Sequence, residues 1–599
     1  MDLPETQALS EEQKQYLQGF VSGVEVRRAS RRLPAGGKAA GEPAPAATEP
    51  EPPEAIHRRA QDRFLAEGKK LSLEEEAKRA RNPLDLWDEI EGHAREGKFP
   101  RGTDVFCWKF HGLFQVAPAQ DAFMCRLRLP NGILSAHQLR GVADVAERFG
   151  GGYADITTRA NLQVREIGAG DSVAVLTALH DLGILPRGAG ADNIRNVTGS
   201  PTAGIDPQEI IDTRPLAREL HHHILHHREL YGLPRKFNIA FDGGGAVGVL
   251  EDTNDIGFAA VRVGEGKGIP PGEYFRVEVG GITGHGDFAR DTGLCIEPRE
   301  CVPLATAMVR VFIEHGDRTD RKKARLKYLV DRWGLERFVE EAAARLPFPL
   351  RRLPPGDCQP RAPILKHGHV GIHAQKQPGL SYIGVLVPVG RLPAETMRGL
   401  AGVAERHGSG TIRLTVWQNL IISDIPDARL REAVDEIAEL GLGTSATSIS
   451  GGLVACTGNK GCKYSATDTK GHALALARDL ESRLELDRPV NLHFTGCPHS
   501  CAQHYIGDIG FLGAKVPAGD DVVEGYHVYV GGGHGAEREI ARELARDIPA
   551  DDVPALVESV FRAYLARRSG KEESFHEFSR RHSIEEIRAM VHMPRRRDA

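Results

Sequence analysis

Apolar positions recur at two different spacings along this chain, and the switches between them mark its elements. Near the start, Ser10-Glu-Glu-Gln13 has the form of a capping box, and Tyr16, Leu17, Phe20, Val21 and Val24 follow at helical spacing. This predicts an N-terminal helical arm over 1–32 with one apolar face. Residues 33–54 are dominated by Pro, Ala, Gly and Glu, which cannot build a core, and they predict a disordered linker. Residues 55–100 read as charged helices interrupted by Asn82-Pro-Leu-Asp-Leu-Trp87.

A repeat follows. Gly141-Val-Ala-Asp-Val-Ala-Glu-Arg-Phe-Gly150 returns as Gly399-Leu-Ala-Gly-Val-Ala-Glu-Arg-His-Gly408. The register holds further: Thr157, Asn161, Leu162 and Ile167 correspond to Thr415, Asn419, Leu420 and Ile425. Each copy reads as strand, helix, glycine turn, strand. The copies lie too far apart for a solenoid, so two half-molecules of a pseudo-twofold protein are expected.

Alternation of period two appears in Phe123–Pro130, where it puts Arg126 and Arg128 on one face of a predicted strand. Read the same way, Asp155–Arg165 sets Asp155, Thr157, Arg159, Asn161, Gln163 and Arg165 against an apolar face of Ile156, Thr158, Ala160, Leu162 and Val164. Such alternation usually means a solvated sheet face. The second copy carries Thr415, Trp417, Asn419 and Ile421 on the matching face. A tryptophan where Arg159 stood argues for a covered face.

Composition adds limits. A chain of 599 residues is too long for one core, so several domains are expected. The net charge of −5 comes with no basic block of the kind nucleic acid needs. No apolar run approaches the roughly twenty residues of a membrane span. The start is acidic and lacks an apolar signal core. Nine cysteines, an odd count without a disulfide-like framework, point to a reducing compartment, and the cytoplasm is expected.

Four of those cysteines change the picture. Cys456-Thr-Gly-Asn-Lys-Gly-Cys462 and Thr495-Gly-Cys497-Pro-His-Ser-Cys501 place two thiol pairs in loops rich in Gly, Thr and Pro. Thiolates suit iron–sulfur clusters and zinc. A structural zinc site favours gaps of about two to four residues inside each pair, and the five between Cys456 and Cys462 exceed that.

The run Thr495-Gly496-Cys497-x3-Cys501-x6-Asp508-Ile509-Gly510-Phe511 resembles the cluster signature of the sirohaem-dependent nitrite and sulfite reductases. The resemblance extends from about Pro83 to the segment after Cys501 and lies nearest the ferredoxin–nitrite reductases. It implies an α+β fold, duplicated, with two ferredoxin-like half-domains and two larger sirohaem/4Fe–4S units. The expected domains are 55–174 and 346–429 for the half-domains, helical lead-in included, and 175–345 and 430–599 for the larger units. The resemblance also implies a 4Fe–4S cluster on Cys456, Cys462, Cys497 and Cys501, with Cys501 bridging to the sirohaem iron. Arg159 and Gln163 match positions that hold the macrocycle. Arg321, in the basic run Arg318–Arg325, matches a stretch near it. Arg126, Arg195 and Lys236 match the substrate pocket. Asn238 stands where sulfite reductases typically carry a second lysine, which suits the smaller charge of nitrite.

The expected activity is reduction of nitrite to ammonia by a monomer fed by ferredoxin or a similar small electron-transfer protein. Phe241-Asp-Gly-Gly-Gly-Ala-Val-Gly248 does not match a dinucleotide fingerprint, and neither does Val530-Gly-Gly-Gly-His-Gly535. Sulfite reduction is the nearest alternative. A precorrin-modifying oxygenase, a haem or cluster sensor and a zinc protein are more distant ones.

Overall fold

The computed structural model describes residues 51–519 and 521–592. The predicted arm and nearly all of the predicted linker lie outside the described residues. Among the described residues, no helix is long and apolar enough to cross a membrane.

The charged lead-in forms the helices Ala55–Ala66, Leu73–Ala80 and Trp87–Glu96. Ser72 caps the second, and Asn82 opens the 3-10 turn Pro83–Asp85 where the pattern broke. Buried charge docks these helices. Arg318 Nη1 donates to Glu75 Oε2 at 2.6 Å in a pair closed to solvent. Lys78 reaches Asp192 at 3.3 Å.

The two repeat copies share more than sequence. Left-handed backbone at Asn131, Ala160 and Glu166 recurs at Val389, Gln418 and Asp424. Val389 at φ 50 is costly for a β-branched residue, so a tight turn common to both copies is kept despite the side chain. The copies also exchange strands. Ile133–Ser135 of the first pairs with Thr411–Leu414 of the second, and Arg391–Pro393 of the second pairs with Tyr153–Thr157 of the first. Each five-stranded sheet is therefore completed by the other copy. Across this junction Arg398 bonds Asp144 at 2.8 Å.

Two strand readings change. Asp155–Arg165 is not one strand but a hairpin, Tyr153–Thr157 and Asn161–Ile167, turning through Thr158-Arg159-Ala160. Alternation survives because antiparallel partners share a face: Asp155 pairs with Gln163 and Thr157 with Asn161. The strand begun at Phe123 ends at Arg126, and Leu127–Leu129 continue as irregular chain.

Each repeat is joined to a larger sheet, and the two larger sheets share a topology. In the first, Thr198–Gly199, Ile239–Asp242 and Ile256–Val263 run parallel, followed by antiparallel Gly272–Val279 and Arg290–Ile296. In the second, Leu453–Ala455, Leu492–Thr495 and Ile509–Ala518 run parallel, followed by antiparallel Asp521–Val530 and Arg542–Pro549. The architecture is the expected mixed α/β duplication.

Candidate active site

The site is built where the second larger sheet meets the first hairpin. Cys456 and Cys497 follow the C-terminal ends of the adjacent parallel strands Leu453–Ala455 and Leu492–Thr495, the end of an open sheet where ligands gather. Backbone amides point at sulfur there: Gly496 N–H donates to Cys456 Sγ at 3.2 Å. Thr469 Oγ1 lies 3.6 Å from the same sulfur. Burial pushes the Cys497 thiol up to about 12, and the Cys501, Cys456 and Cys462 sulfurs add to the rise. Among the described residues, no three His, Cys, Asp or Glu side chains gather tightly enough to share one metal ion. The Cys456, Cys462 and Cys501 sulfurs all act on Cys497, and four neighbouring thiols would suit a cluster, which takes one thiolate at each iron.

The first hairpin faces these loops. Thr158 Oγ1 donates to the Cys501 carbonyl at 3.1 Å. Arg165 Nη2 donates to Thr457 Oγ1 at 2.6 Å and to Gln163 Oε1 at 2.9 Å, while Arg165 Nε pairs with Asp155 at 2.8 Å. The polar face read from the sequence is thus covered, and it is covered by the cysteine loops.

Arg159, at the turn, donates to Asn254 Oδ1 at 2.7 Å and has no carboxylate partner among the described residues. Burial lowers it to about 10, with Arg325 adding to the fall and Asp255 opposing. Arg126 lies over the Phe114 ring at 4.5 Å and is also lowered to about 10 by burial, with the Cys501 sulfur opposing.

Arg195 and Lys236 are placed by a parallel bridge between Ile194 and Phe237. Both bridge residues are buried in the core, which turns Arg195, Lys236 and Asn238 to the other side. Arg195 spends its terminal nitrogens on the carbonyls of Ala189 (2.9 Å) and Ala191 (2.7 Å), leaving a buried Nε without a partner. Lys236 has no ion-pair partner among the described residues, and burial lowers it to about 7, with Arg325, Arg195 and Arg235 adding to the fall. Asn238 is buried with Oδ1 unsatisfied, and its backbone N–H donates to Asp255 Oδ2 at 2.8 Å.

Arg321 differs. Its terminal nitrogens grip Asp192 at 2.8 and 2.9 Å, and Nε reaches Glu74 at 3.1 Å, so three of its five N–H donors are engaged in the wall. The basic run is a turn, and Arg318 and Arg325 in it pair with Glu75 and Asp255. Sequence reasoning missed Thr158 and Asn254, which brace the hairpin, and assigned no part to Arg235, although it sits beside Lys236. Period two marked the hairpin face, but nothing local showed what would cover it.

These residues fit the groups implied by the sequence. The pocket collects half-buried cations in excess of carboxylates, which demands anionic ligands. A macrocycle fringed with carboxylates and a small anion would meet that demand, and four thiols meet the need of a cluster. The two Gly-rich loops serve packing instead. A Cβ on Gly243 would stand 2.4 Å from the Ile211 carbonyl, and one on Gly532 would stand 2.5 Å from the Gly507 carbonyl.

Known proteins carry the same organisation. The family description "Nitrite and sulphite reductase 4Fe-4S domain" matches residues 190–350 and 450–597, and "Nitrite/Sulfite reductase ferredoxin-like half domain" matches 117–182 and 373–440. The ferredoxin–nitrite reductase of Synechococcus elongatus is 36% identical over 519 residues, 85% of this chain and 98% of its own. That of Leptolyngbya laminosa is 38% identical over 510 residues, 83% of this chain and 98% of its own. The solved structure of the Mycobacterium tuberculosis NirA protein superposes with a TM-score of 0.80 at 30% identity, covering 88% of this chain and 99% of that one. The chain belongs to the nitrite and sulphite reductase family and is an oxidoreductase with its duplicated ferredoxin-like and 4Fe–4S domains.

Proposed function

We propose that this chain reduces nitrite to ammonia, a six-electron reduction, at a sirohaem that shares Cys501 with a 4Fe–4S cluster, drawing electrons from ferredoxin in nitrate assimilation. Cys456, Cys462, Cys497 and Cys501 would hold the cluster and Arg159 and Gln163 the sirohaem, and together these groups would supply the redox chemistry. The observation that carries the reading is that Arg126 and Lys236 both act on the Cys501 sulfur while Arg195 stands near Arg126, and none of the three is ion-paired among the described residues.

Each residue has a separable part. Arg126 and Arg159 supply fixed positive charge, Arg159 from the hairpin that touches the Cys501 loop. The backbone clamps on Arg195 hold its guanidinium still and leave Nε as the donor. Lys236, lowered to about 7, can give up and retake a proton at Nζ near neutral pH, which a reaction consuming protons requires. Gln163 and Arg159 would hold the macrocycle, while Arg321 fixes Asp192 in the wall. A buried amide at Asn238 favours an anion of single charge. Ferredoxin as the donor is supported by the relatives, which are named ferredoxin–nitrite reductases.

One observation favours sulfite as a second reading: Lys236 is crowded by Arg195, Arg235 and Arg325, a charge density that suits a dianion. The deciding experiment is a visible spectrum with iron analysis of the purified protein, followed by turnover on each anion with one artificial donor. A sirohaem spectrum with ammonia formed from nitrite at the higher kcat/KM is expected. Higher efficiency on sulfite replaces the first reading with the second.

A further inference from the structure

Two cysteines far from the cluster share one guanidinium. Cys295 lies on the strand Arg290–Ile296, directly across from Arg276 on Gly272–Val279. Arg276 Nη1 stands 3.7 Å from Cys295 Sγ and 3.8 Å from Cys358 Sγ. The Cys358 sulfur is near enough to add to the rise that burial imposes on the Cys295 thiol.

Backbone contacts hold this arrangement. Cys358 bridges Val263, Gln359 N–H donates to the Arg262 carbonyl at 2.8 Å, and Leu353 N–H donates to the Gly293 carbonyl at 2.9 Å. Arg276 donates to the Leu353 carbonyl at 2.8 Å and pairs with Asp291. Around them Val263, Tyr274 and Leu353 form a small apolar cluster of their own, separate from the main core of this sheet. Cys295 is fully buried and Cys358 half-exposed. Two cysteines packed only as small hydrophobes would need no arginine between them, whereas a cation at sulfur stabilises a thiolate.

We propose that Cys295 and Cys358 form a redox-active dithiol that undergoes thiol–disulfide exchange with low-molecular-weight disulfides, closing a covalent bond between the strand Arg290–Ile296 and the segment that follows its edge partner Arg351–Arg352. That segment opens the stretch between the two matched halves of the chain.

The exchange balances in two steps. Cys358 Sγ, the reachable sulfur, loses its proton and attacks one sulfur of the small disulfide. The other sulfur leaves as a thiolate and takes up that proton. Cys295 Sγ then attacks Cys358 Sγ and expels the second small thiol, which carries away the second proton. Both cysteines together lose two electrons, and the small disulfide becomes two thiols. Burial pushes the Cys295 thiol up to about 11, which agrees with its acting second. Arg276 steadies whichever sulfur is ionised.

The test uses the holoenzyme incubated with glutathione disulfide, alkylated, digested and mapped by mass spectrometry. The expected product is a peptide pair joined through Cys295 and Cys358, lighter by two hydrogens and separated again by dithiothreitol. In Cys295→Ser the glutathione should remain on Cys358. In Cys358→Ser the buried Cys295 should stay free. An unchanged visible spectrum shows that each variant is folded. Wild type in which both cysteines remain alkylatable overturns the proposal. So does wild type that keeps glutathione on Cys358 beside a free Cys295.

Discussion

The two copies of the repeat keep one scaffold and opposite contents. In the first, the hairpin turn presents Arg159 to a space shared with Cys501, and Thr158 bonds the Cys501 carbonyl. In the second, the equivalent turn presents Trp417, buried and walled by imidazoles. His369 stacks on it at 5.8 Å, and His534 and His493 stand at 4.9 and 6.2 Å. Burial lowers His493 to about 4 and His534 to about 3, and lowers His369 as well, so the wall is neutral at pH 7. The larger sheets divide in the reverse sense. The second carries cysteines beyond its parallel strands, where the first carries Ser200-Pro-Thr-Ala and Asp242-Gly-Gly-Gly. One site is thus assembled from complementary halves, the cationic hairpin of one copy and the thiols of the other. Geometry was retained in both, while chemistry was retained once.

The largest test of this division removes the thiol that the first turn contacts. On the proposed reading that Cys501 is shared by the two centres, Cys501→Ser should lose most activity, about a hundredfold or more, and lose the coupled cluster and sirohaem spectrum. Cys358→Ser, outside the site, should keep both. Full activity in purified Cys501→Ser protein would remove the basis for placing the site at this hairpin.

A second test puts the charge of the first turn into the second. Trp417→Arg would bury a guanidinium among neutral imidazoles, where Asp508 beside His493 is already paired with Lys366. Leaving a charge buried and unpaired costs about 3–5 kcal/mol, which a shifted urea midpoint would record. The same residue type is tolerated at Arg159 because the pocket is built for anions. If Trp417→Arg melts like wild type, the second turn is not the closed wall described here.

Much of this was legible because it rests on short-range patterns. The cysteine spacing, the period-two face of Asp155–Arg165 and the repeated helix that ends at Gly150 and Gly408 each reflect local geometry, and each appears in the structure. The hairpin was misread as one strand because the turn Thr158-Arg159-Ala160 has no Gly or Pro and achieves its reversal with Ala160 at φ 45. The strand exchange between copies was invisible, since Ile133–Ser135 and Arg391–Pro393 are three-residue strands whose partners are set by tertiary packing. Arg321 shows the same limit. Sequence placed a basic residue near the pocket but could not show that Asp192 would already occupy it.

Asn238 allows a finer comparison, between anions rather than between copies. Asn238→Lys adds a positive charge at a buried position beside Lys236. Charge-assisted contacts are worth roughly 1.5–3 kcal/mol, and a dianion gains more from one than a monoanion does. The ratio of kcat/KM for sulfite to that for nitrite should rise about tenfold, measured with one donor at low salt. A ratio that stays put at unchanged sirohaem content would mean that Asn238 does not select the anion.

The smallest expected effect concerns pH and isolates Lys236 from the permanently charged arginines of the first copy's pocket. Burial lowers Lys236 to about 7, and the guanidiniums of Arg325, Arg195 and Arg235 push the same way, while the Cys501 sulfur opposes them. The imidazoles of His499 and His285 also face it and are lowered by it. The sign follows from the charged form. Below the folded value the ammonium is present and attracts the anion, and above it the neutral amine does not. Every anion added to the pocket favours the ammonium, so in the holoenzyme the midpoint should stand at or above 7. Across that midpoint kcat/KM for nitrite should fall a few-fold as pH rises, because Arg126 and Arg195 remain charged and keep part of the attraction. Lys236→Arg restores a charge that does not titrate in this range, so the alkaline fall should flatten while sirohaem content stays constant. Superimposable pH profiles for wild type and Lys236→Arg would show that the proton on Nζ is not the one being read.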